Sequence, residues 1–313
     1  MFGRKGLKVE VRDLVKIYKY RGGEVQALRG VTARFMPGQI TCIMGPSGSG
    51  KTTLLNLVGG IDKPTGGSIV VSGDGLEVKV HDLSVKALDK YRLQYVGFVF
   101  QALNLIPTLT AEENVELPMM LAGMSKRERK DRAGKLLELV GLKDKASRYP
   151  EELSGGEQQR VAIAVALAND PPIILADEPT AELDSENARA VTNVLRRLVE
   201  EFGKTIILAT HDPRVAIKTD RILRLEDGRL VGEYRPIDLE RGAGAEATKE
   251  GVAQVTLAEL IKMRLASIDD DIARLEEEFR KGLIGREEFY SKVSRLERLR
   301  EALQELLTSI GSS

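Results

Sequence analysis

Cysteine is almost absent from the sequence, and a long apolar run is missing altogether. The single Cys42 excludes a disulfide framework, and it is expected to be a buried thiol. No apolar run approaches the length of about 18 to 20 residues that crosses a bilayer, and the first residues lack the apolar core of a secretory signal. We therefore expect a chain of the cytoplasm, unless another subunit holds it at a membrane.

An excess of charge of one sign is also missing. Lys and Arg together number 47, and so do Asp and Glu, so no overall field indicates a nucleic-acid or membrane-surface partner. Hydrophobic residues make up 42% and charged residues 30% of the 313 positions, which is typical of a soluble globular chain. The length allows one large domain or two.

The most informative stretch that is present is residues 45–53, which read Gly-Pro-Ser-Gly-Ser-Gly-Lys-Thr-Thr between a strand-like and a helix-compatible run. Glycines in such a loop let the backbone approach an anion, at which the loop amides and the helix N-terminus point. The motif directs Lys51 to the β- and γ-phosphates and the Thr52 hydroxyl to Mg²⁺. It therefore predicts a nucleotide site.

Polar side chains follow three further apolar strands. Residues 173–176 are continuously apolar, as in a strand buried on both faces, and lead to Asp177 and Glu178. Asp177 is suited to hold Mg²⁺, and Glu178 is suited to orient or deprotonate an attacking water. His211 follows residues 206–209, where a γ-phosphate contact is natural. Gln101 also ends a strand, at the edge where parallel sheets bind ligands.

Two stretches allow two interpretations each. Ser154 and Glu157 form a capping box at the start of a helix, but the two glycines between them also expose amide groups that suit an anion. Either Tyr18 or Tyr20, ahead of a glycine turn, is placed to stack on a nucleotide base. The alternative for both tyrosines is that they cover a strand edge.

The remaining patterns indicate the architecture. Alternating apolar residues near positions 7–11 and 31–35 predict an antiparallel β region, and residues 104–150 are rich in helix formers. Residues 221–233 predict a β-hairpin, with Asp227 and Gly228 as a type I′ turn. The predicted fold class is α/β, with a parallel sheet, an antiparallel β subdomain and a helical subdomain.

The last part of the chain has a different composition. Residues 241–248 are small and polar, and they predict a flexible linker over residues 237–254. Two apolar seams with helical spacing follow within residues 255–313, and they predict a C-terminal α-helical hairpin. The hairpin is similar to short two-helix oligomerisation modules. A packed accessory hairpin is the alternative.

In this order, the motifs resemble the nucleotide-binding subunit of ATP-binding-cassette (ABC) transporters, over roughly residues 7–236. Residues 97–107 and 113–118 are more narrowly similar to the subfamily that serves lipoprotein-release, macrolide-export and cell-division permeases. The resemblance implies a P-loop NTPase core, an ATPase domain over residues 1–236 and a helical subdomain over about 104–152. It also implies ATP and Mg²⁺ as cofactors.

The resemblance assigns roles to individual residues. It gives catalysis to Glu178 as the catalytic glutamate, to His211 as the switch histidine and to Lys51. Tyr18 matches the aromatic that stacks on adenine. ATP binding is assigned to Tyr18, Gly45, Pro46, Ser47, Gly48, Ser49, Gly50, Lys51, Thr52, Thr53, Gln101, Ser154, Gly155, Gly156, Glu157 and Asp184. Metal binding is assigned to Thr52, Gln101 and Asp177, with Gln101 also near the permease.

Two positions depart from the family pattern. Glu157 stands where the signature motif, residues 153–157, usually has glutamine, so a carboxylate lies near a phosphate-binding helix end. Hydrolysis is expected to persist, because Ser154 and the amides of Gly155 and Gly156 would make the contacts. The residues before Asp184 read Ala-Glu-Leu, where related chains often have Gly-Ala-Leu or Gly-Asn-Leu, and this difference bears on the dimer contact.

The resemblance implies an ATPase subunit that drives a separate permease from the inner face of the cell membrane. In this family the signature motif caps the γ-phosphate bound by the opposite subunit, so a head-to-tail homodimer sandwiching two ATP molecules is expected. One alternative is an ATPase that regulates a membrane partner without transport, as in the cell-division branch. A soluble ATPase acting on DNA or ribosomes is another, although the features of those relatives are not visible here. No nucleic-acid partner is expected.

Overall fold

The computed structural model describes residues 2–181, 183–236, 257–281 and 283–311. Its larger sheet has six strands: β3 (Ile40–Met44), β6 (Val96–Val99), β7 (Ile173–Asp177), β8 (Thr205–Thr210), β9 (Arg221–Glu226) and β10 (Arg229–Tyr234). Their order is β10-β9-β3-β8-β7-β6, and every neighbouring pair is parallel except the β9–β10 hairpin. The predicted parallel sheet is therefore confirmed.

The second sheet is antiparallel and has four strands, β1 (Lys8–Tyr20), β2 (Gly23–Phe35), β4 (Gly66–Gly73) and β5 (Leu76–Lys79), in the order β2-β1-β4-β5. Strand β1 extends well beyond the alternating residues 7–11 from which it was predicted. Register shifts between Val11 and Leu14 and around Lys16 interrupt the alternation, so the sequence pattern covers only its first part. As a result, Tyr18 lies within β1 and pairs with Val25.

Nine helices of four or more residues lie within the described residues: α1 (Lys51–Val58), α2 (Val85–Tyr95), α3 (Ala111–Leu121), α4 (Lys126–Leu139), α5 (Gly155–Ala166), α6 (Ser185–Glu200), α7 (Pro213–Ala216), α8 (Leu257–Arg280) and α9 (Arg286–Gly311). Helices α3 and α4 fall in the predicted helical region. In the part of the chain that the structure describes, none of them combines the length and apolar character that a bilayer crossing requires.

Successive residues of the central strands face opposite cores. Along β3, Ile40, Cys42 and Met44 join a core with α3 to α6, whereas Ile43 joins a core with α1 and the antiparallel sheet. Strands β7 and β8 alternate in the same way. The parallel strands are thus buried on both faces, which explains their continuous apolar runs. The expected burial of Cys42 is confirmed.

The β9–β10 hairpin turns at Asp227 and Gly228, whose φ values of 44° and 74° are both positive, as a type I′ turn requires. Helices α8 and α9 pack against each other in antiparallel fashion. The Phe279 and Phe289 rings lie 4.6 Å apart near their turn, and Arg300 pairs with Asp269 further along. The predicted linker, residues 237–254, lies outside the described residues.

Candidate active site

The phosphate-binding motif forms the turn between β3 and α1. Gly50, with a φ of 103°, is the residue before α1. Gly45 lies so close to β9 that a Cβ atom there would be 2.0 Å from the Leu225 carbonyl oxygen, so only glycine fits. The Lys51 Nζ donates hydrogen bonds to the carbonyl oxygens of Gly45 (2.8 Å) and Pro46 (2.9 Å). The loop is thus compact, with a buried lysine at its centre.

Thr52 and Asp177 meet beside this loop. Burial raises the pKa of the Asp177 carboxyl group, and the Thr52 hydroxyl, which interacts with that group, opposes the shift. The Asp177 Oδ1 is buried without a hydrogen-bond partner. A buried carboxylate oxygen with no donor, beside a hydroxyl, is the type of ligand that Mg²⁺ prefers, so these residues fit the predicted metal.

Gln101 stands apart from this pair. It lies in the loop that follows β6, its side chain is exposed, and within the described part of the chain it forms no hydrogen bond to Thr52 or Asp177. Its assignment as a metal ligand therefore stays a prediction.

The Glu178 side chain is held by Thr210, the last residue of β8, and by His211, which follows it. Its Oε1 lies 2.6 Å from His211 Nδ1, and its Oε2 accepts a hydrogen bond from the Thr210 hydroxyl at 3.1 Å. The backbone of Glu178 has a φ of 47°, in the left-handed region, while its amide donates to the Ala209 carbonyl at 2.9 Å. Such a conformation costs about 1–3 kcal/mol in a non-glycine residue and is concentrated at functional sites.

The signature motif begins α5. Ser154 is the N-cap: its hydroxyl accepts a hydrogen bond from the Glu157 amide (3.3 Å), and the Glu157 carboxylate accepts one from the Ser154 amide (2.9 Å). The predicted capping box is confirmed. The other carboxylate oxygen of Glu157 pairs with Lys145. The Lys145 and Ser154 bonds to this carboxylate lower the pKa of Glu157, so it is ionised at neutral pH.

Asp184 is linked to the signature helix through α6. Its carboxylate caps α6 and accepts hydrogen bonds from the Asn187 backbone amide and from Asn187 Nδ2, both at 2.8 Å. The Asn187 Oδ1 in turn accepts from Arg160 on α5 at 2.9 Å. Gly156 lies so close to Asn187 that a Cβ atom would approach its side chain to 2.2 Å. Asp184 and the signature therefore form one connected unit.

Tyr18 is partly exposed on β1. Its hydroxyl donates to Asp62 Oδ2 at 2.9 Å, and the Lys16 ammonium lies 4.7 Å from the centre of its ring. Burial raises the pKa of the Tyr18 hydroxyl. The ring is thus fixed, as a stacking platform requires, whereas Tyr20 is more exposed.

Sequence reasoning missed the partners of these residues. Lys145, Asn187 and Thr210 each bond to a predicted site residue, and Arg160 bonds to Asn187. Only Thr210 had a local signal, since it directly precedes His211 at the end of an apolar strand. Lys145 and Asn187 come from segments without a motif of their own, and Arg160 lies on the helix just after the signature motif.

Comparison with known proteins gives consistent matches. A family model described as "ABC transporter" matches residues 28–181. An uncharacterized ABC transporter ATP-binding protein of Thermotoga maritima is 47% identical over 227 residues, which cover 72% of this chain and 95% of that relative. The macrolide export ATP-binding/permease protein MacB of Shigella flexneri is 40% identical over 236 residues, but the match covers only 36% of MacB.

A solved structure extends the likeness to three dimensions. It is the dimer of the ATP-binding cassette MJ0796 in a post-hydrolysis state, bound to ADP and Pi. The TM-score is 0.67 at 46% sequence identity, with 73% of this chain and 98% of that chain covered. MJ0796 comes from Methanocaldococcus jannaschii.

Proposed function

Because the chain belongs to the family of ABC transporter ATP-binding proteins, we propose that it hydrolyses ATP to ADP and phosphate and thereby drives a membrane permease carried on another chain. Family membership and the likeness to a cassette with bound ADP and Pi support hydrolysis. The coupling of hydrolysis to transport goes beyond what these two observations support.

The contact between Glu178 and His211 carries the proposal. Two partners, His211 and Thr210, restrain the Glu178 carboxylate. Glu178 follows β7 at the same edge of the parallel sheet as the phosphate-binding turn that follows β3. A restrained carboxylate holds an attacking water in line with the γ-phosphate and accepts its proton. Such a positioned base contributes about 10²–10⁴-fold to the rate.

The charge of the phosphates is balanced by neighbouring residues. Lys51 contacts the β- and γ-phosphates, and Thr52 and Asp177 would hold Mg²⁺, with Gln101 as a further ligand. When bound, Mg²⁺ neutralises the charge on the phosphate oxygens. The unpartnered Asp177 Oδ1 supports this assignment.

Each nucleotide is proposed to lie between two copies of the chain. Helix α1, which follows the phosphate-binding turn, packs on β7, β8 and β2, whereas the signature helix α5 packs on α3, α4, α6 and β6. Two copies packed head to tail bring the signature of one against the phosphate-binding turn of the other. The dimeric MJ0796 structures support such an arrangement.

The permease is proposed to bind the helical region next to Gln101, so that the chain is held at the inner face of the cell membrane. Exposed apolar side chains at Ile106, Met120 and Leu121 support this surface. Copurification of the intact, crosslinked chain with a membrane protein tests it. A chain that separates cleanly from membranes would contradict it.

The Glu178→Gln variant tests the catalytic assignment. Glutamine has nearly the same size and shape as glutamate but cannot accept a proton from the attacking water. We therefore expect the rate of hydrolysis to fall by about 10²–10⁴-fold. ATP binding is expected to persist, so the dimer should accumulate with ATP trapped in it. Steady-state phosphate release and size-exclusion chromatography with ATP measure the two effects.

Glu138→Gln provides the matched control, because Glu138 is an exposed glutamate paired with Lys143 on the helical region. It should hydrolyse ATP like the unaltered chain. Unchanged hydrolysis in Glu178→Gln would remove Glu178 from its role.

A further inference from the structure

Glu157 puts a negative charge where the proposed function requires an anion to bind. It is the third residue of α5, and its side chain is only 16% exposed. An ionised carboxylate in the first turn of a helix uses up part of the favourable potential at the helix N-terminus. Left alone, it would also repel the γ-phosphate that approaches Ser154 and Gly155.

Lys145 supplies the compensating charge. Its ammonium pairs with the Glu157 oxygen that does not take part in the capping box. The other oxygen stays bound to the Ser154 amide, so the ion pair and the cap coexist. The carboxylate therefore has a fixed partner on each of its two oxygens.

The backbone around Lys145 is itself held in place. Lys145 ends a short 3₁₀ turn, Lys143–Lys145, and its carbonyl accepts from the Arg148 amide at 3.0 Å. The Ala146 and Arg148 carbonyls accept from the first two amides of α3, at 2.9 and 2.8 Å. Because hydrogen bonds join this segment to α3, the backbone that carries the Lys145 side chain is fixed relative to the helical region.

We infer that Lys145 is a positioning residue for ATP hydrolysis, which neutralises Glu157 so that the signature helix accepts the γ-phosphate bound by the partner copy. The inference rests on the proposed function. It explains how a signature with glutamate in place of glutamine remains able to bind a phosphate. Lys145 acts through Glu157, so its importance depends on the charge at position 157.

A double-variant cycle in the Glu178→Gln chain tests this dependence. We expect Lys145→Met, which keeps the length of the side chain, to raise the ATP concentration needed for dimerisation by about 10- to 100-fold, as an uncompensated charge near phosphate would. When Glu157→Gln is also present, the same Lys145→Met change should raise that ATP concentration less than about threefold. Lys145→Arg should retain dimerisation.

Three measurements separate this role from a merely structural one. Lys143→Met removes a neighbouring lysine of the same turn, which pairs with exposed Glu138 instead, and should leave dimerisation unchanged. ATP binding by the separated monomers should be equal in all variants, because the phosphate-binding turn is intact. Thermal unfolding of each variant identifies any general loss of stability.

The outcomes are distinct. If Lys145→Met weakens dimerisation equally with Glu or Gln at position 157, or does not weaken it with Glu157, the role inferred for Lys145 is wrong. The proposed function is not affected by that result. If the Glu178→Gln parent does not dimerise with ATP at all, the proposed function fails and this inference fails with it.

Discussion

Tyr18 is held on β1 from two directions. Asp62 accepts its hydroxyl hydrogen, and the Lys16 ammonium, itself bonded to Asp62 at 2.7 Å, lies over the ring. The ring therefore has little freedom left to lose when a base stacks on it. This favours Tyr18 over Tyr20 as the adenine platform, because Tyr20 is the more exposed of the two.

We expect Tyr18→Ala to weaken ATP binding about 5- to 150-fold, since stacking of a base on an aromatic ring contributes about 1–3 kcal/mol. Tyr18→Phe keeps the aromatic ring, so its affinity for ATP should fall much less. Calorimetric titration of the Glu178→Gln chain with ATP measures both. Tyr20→Ala is the control on the same strand, and a larger loss there than in Tyr18→Ala would reverse the assignment.

At the scale of single residues, the sequence predicts what lies inside a motif and misses what comes from elsewhere. Lys51 and Thr52 are fixed by their spacing within one loop, and Asp177 and Glu178 by the end of one strand. The Lys145–Glu157 pair depends on how the segment after α4 returns to α5, which no local pattern encodes. The left-handed backbone of Glu178 is equally hidden, because glutamate has no preference for it.

At the scale of elements, predictability follows the regularity of the pattern. The buried parallel strands and the Asp227-Gly228 turn were predicted because each has a local signature. The alternating pattern covers only the first part of β1, because the bulges of this strand break the period of two. For the C-terminal helices, the spacing predicted two apolar seams but not that Ile217, just after α7, would join their core.

The packing of the C-terminal helices leads to a prediction about the tail. The seams of α8 and α9 bury Ile261, Ile268 and Leu303 within one chain, and the partly buried Ile217 packs against them. Among the described residues, the two large cores contain none beyond Tyr234, and 72% of this chain matches 95% of the Thermotoga maritima relative. The cassette is therefore expected to fold without the tail.

We expect deletion of residues 237–313 from the Glu178→Gln chain to leave ATP-dependent dimerisation intact, as for an accessory hairpin. Light scattering of the purified chain, with and without ATP, measures the mass. Ile217 would be newly exposed, so Ile217→Ser in the truncated chain controls for non-specific association. A dimer that forms only in the full-length chain would instead identify the tail as an oligomerisation module.

At the scale of the whole molecule, the proposed site is divided between two copies. One copy contributes Lys51, Thr52, Asp177, Glu178 and His211, while the other contributes Ser154 and its helix end. Within each chain, Asp184 is connected to the signature helix through Asn187 and Arg160. In the proposed symmetric dimer with two equivalent sites, a change at the signature of one copy is expected to affect the nucleotide of its partner.

Mixing two inactive chains tests this division. Lys51→Ala removes the phosphate contact, and Ser154→Arg blocks the signature, so each variant alone should be inactive as a homodimer. In a mixed dimer, the intact turn of the Ser154→Arg chain meets the intact signature of the Lys51→Ala chain, and one complete site forms. Random pairing of equal amounts makes about half of the dimers mixed, so hydrolysis should return to at most about a quarter of the unaltered rate. The Ser154→Arg chain must still bind ATP as a monomer, which shows that it is folded. If the mixture stays as inactive as its parents although mixed dimers are detected by a tag on one chain, each site is built within a single copy and the head-to-tail arrangement is wrong.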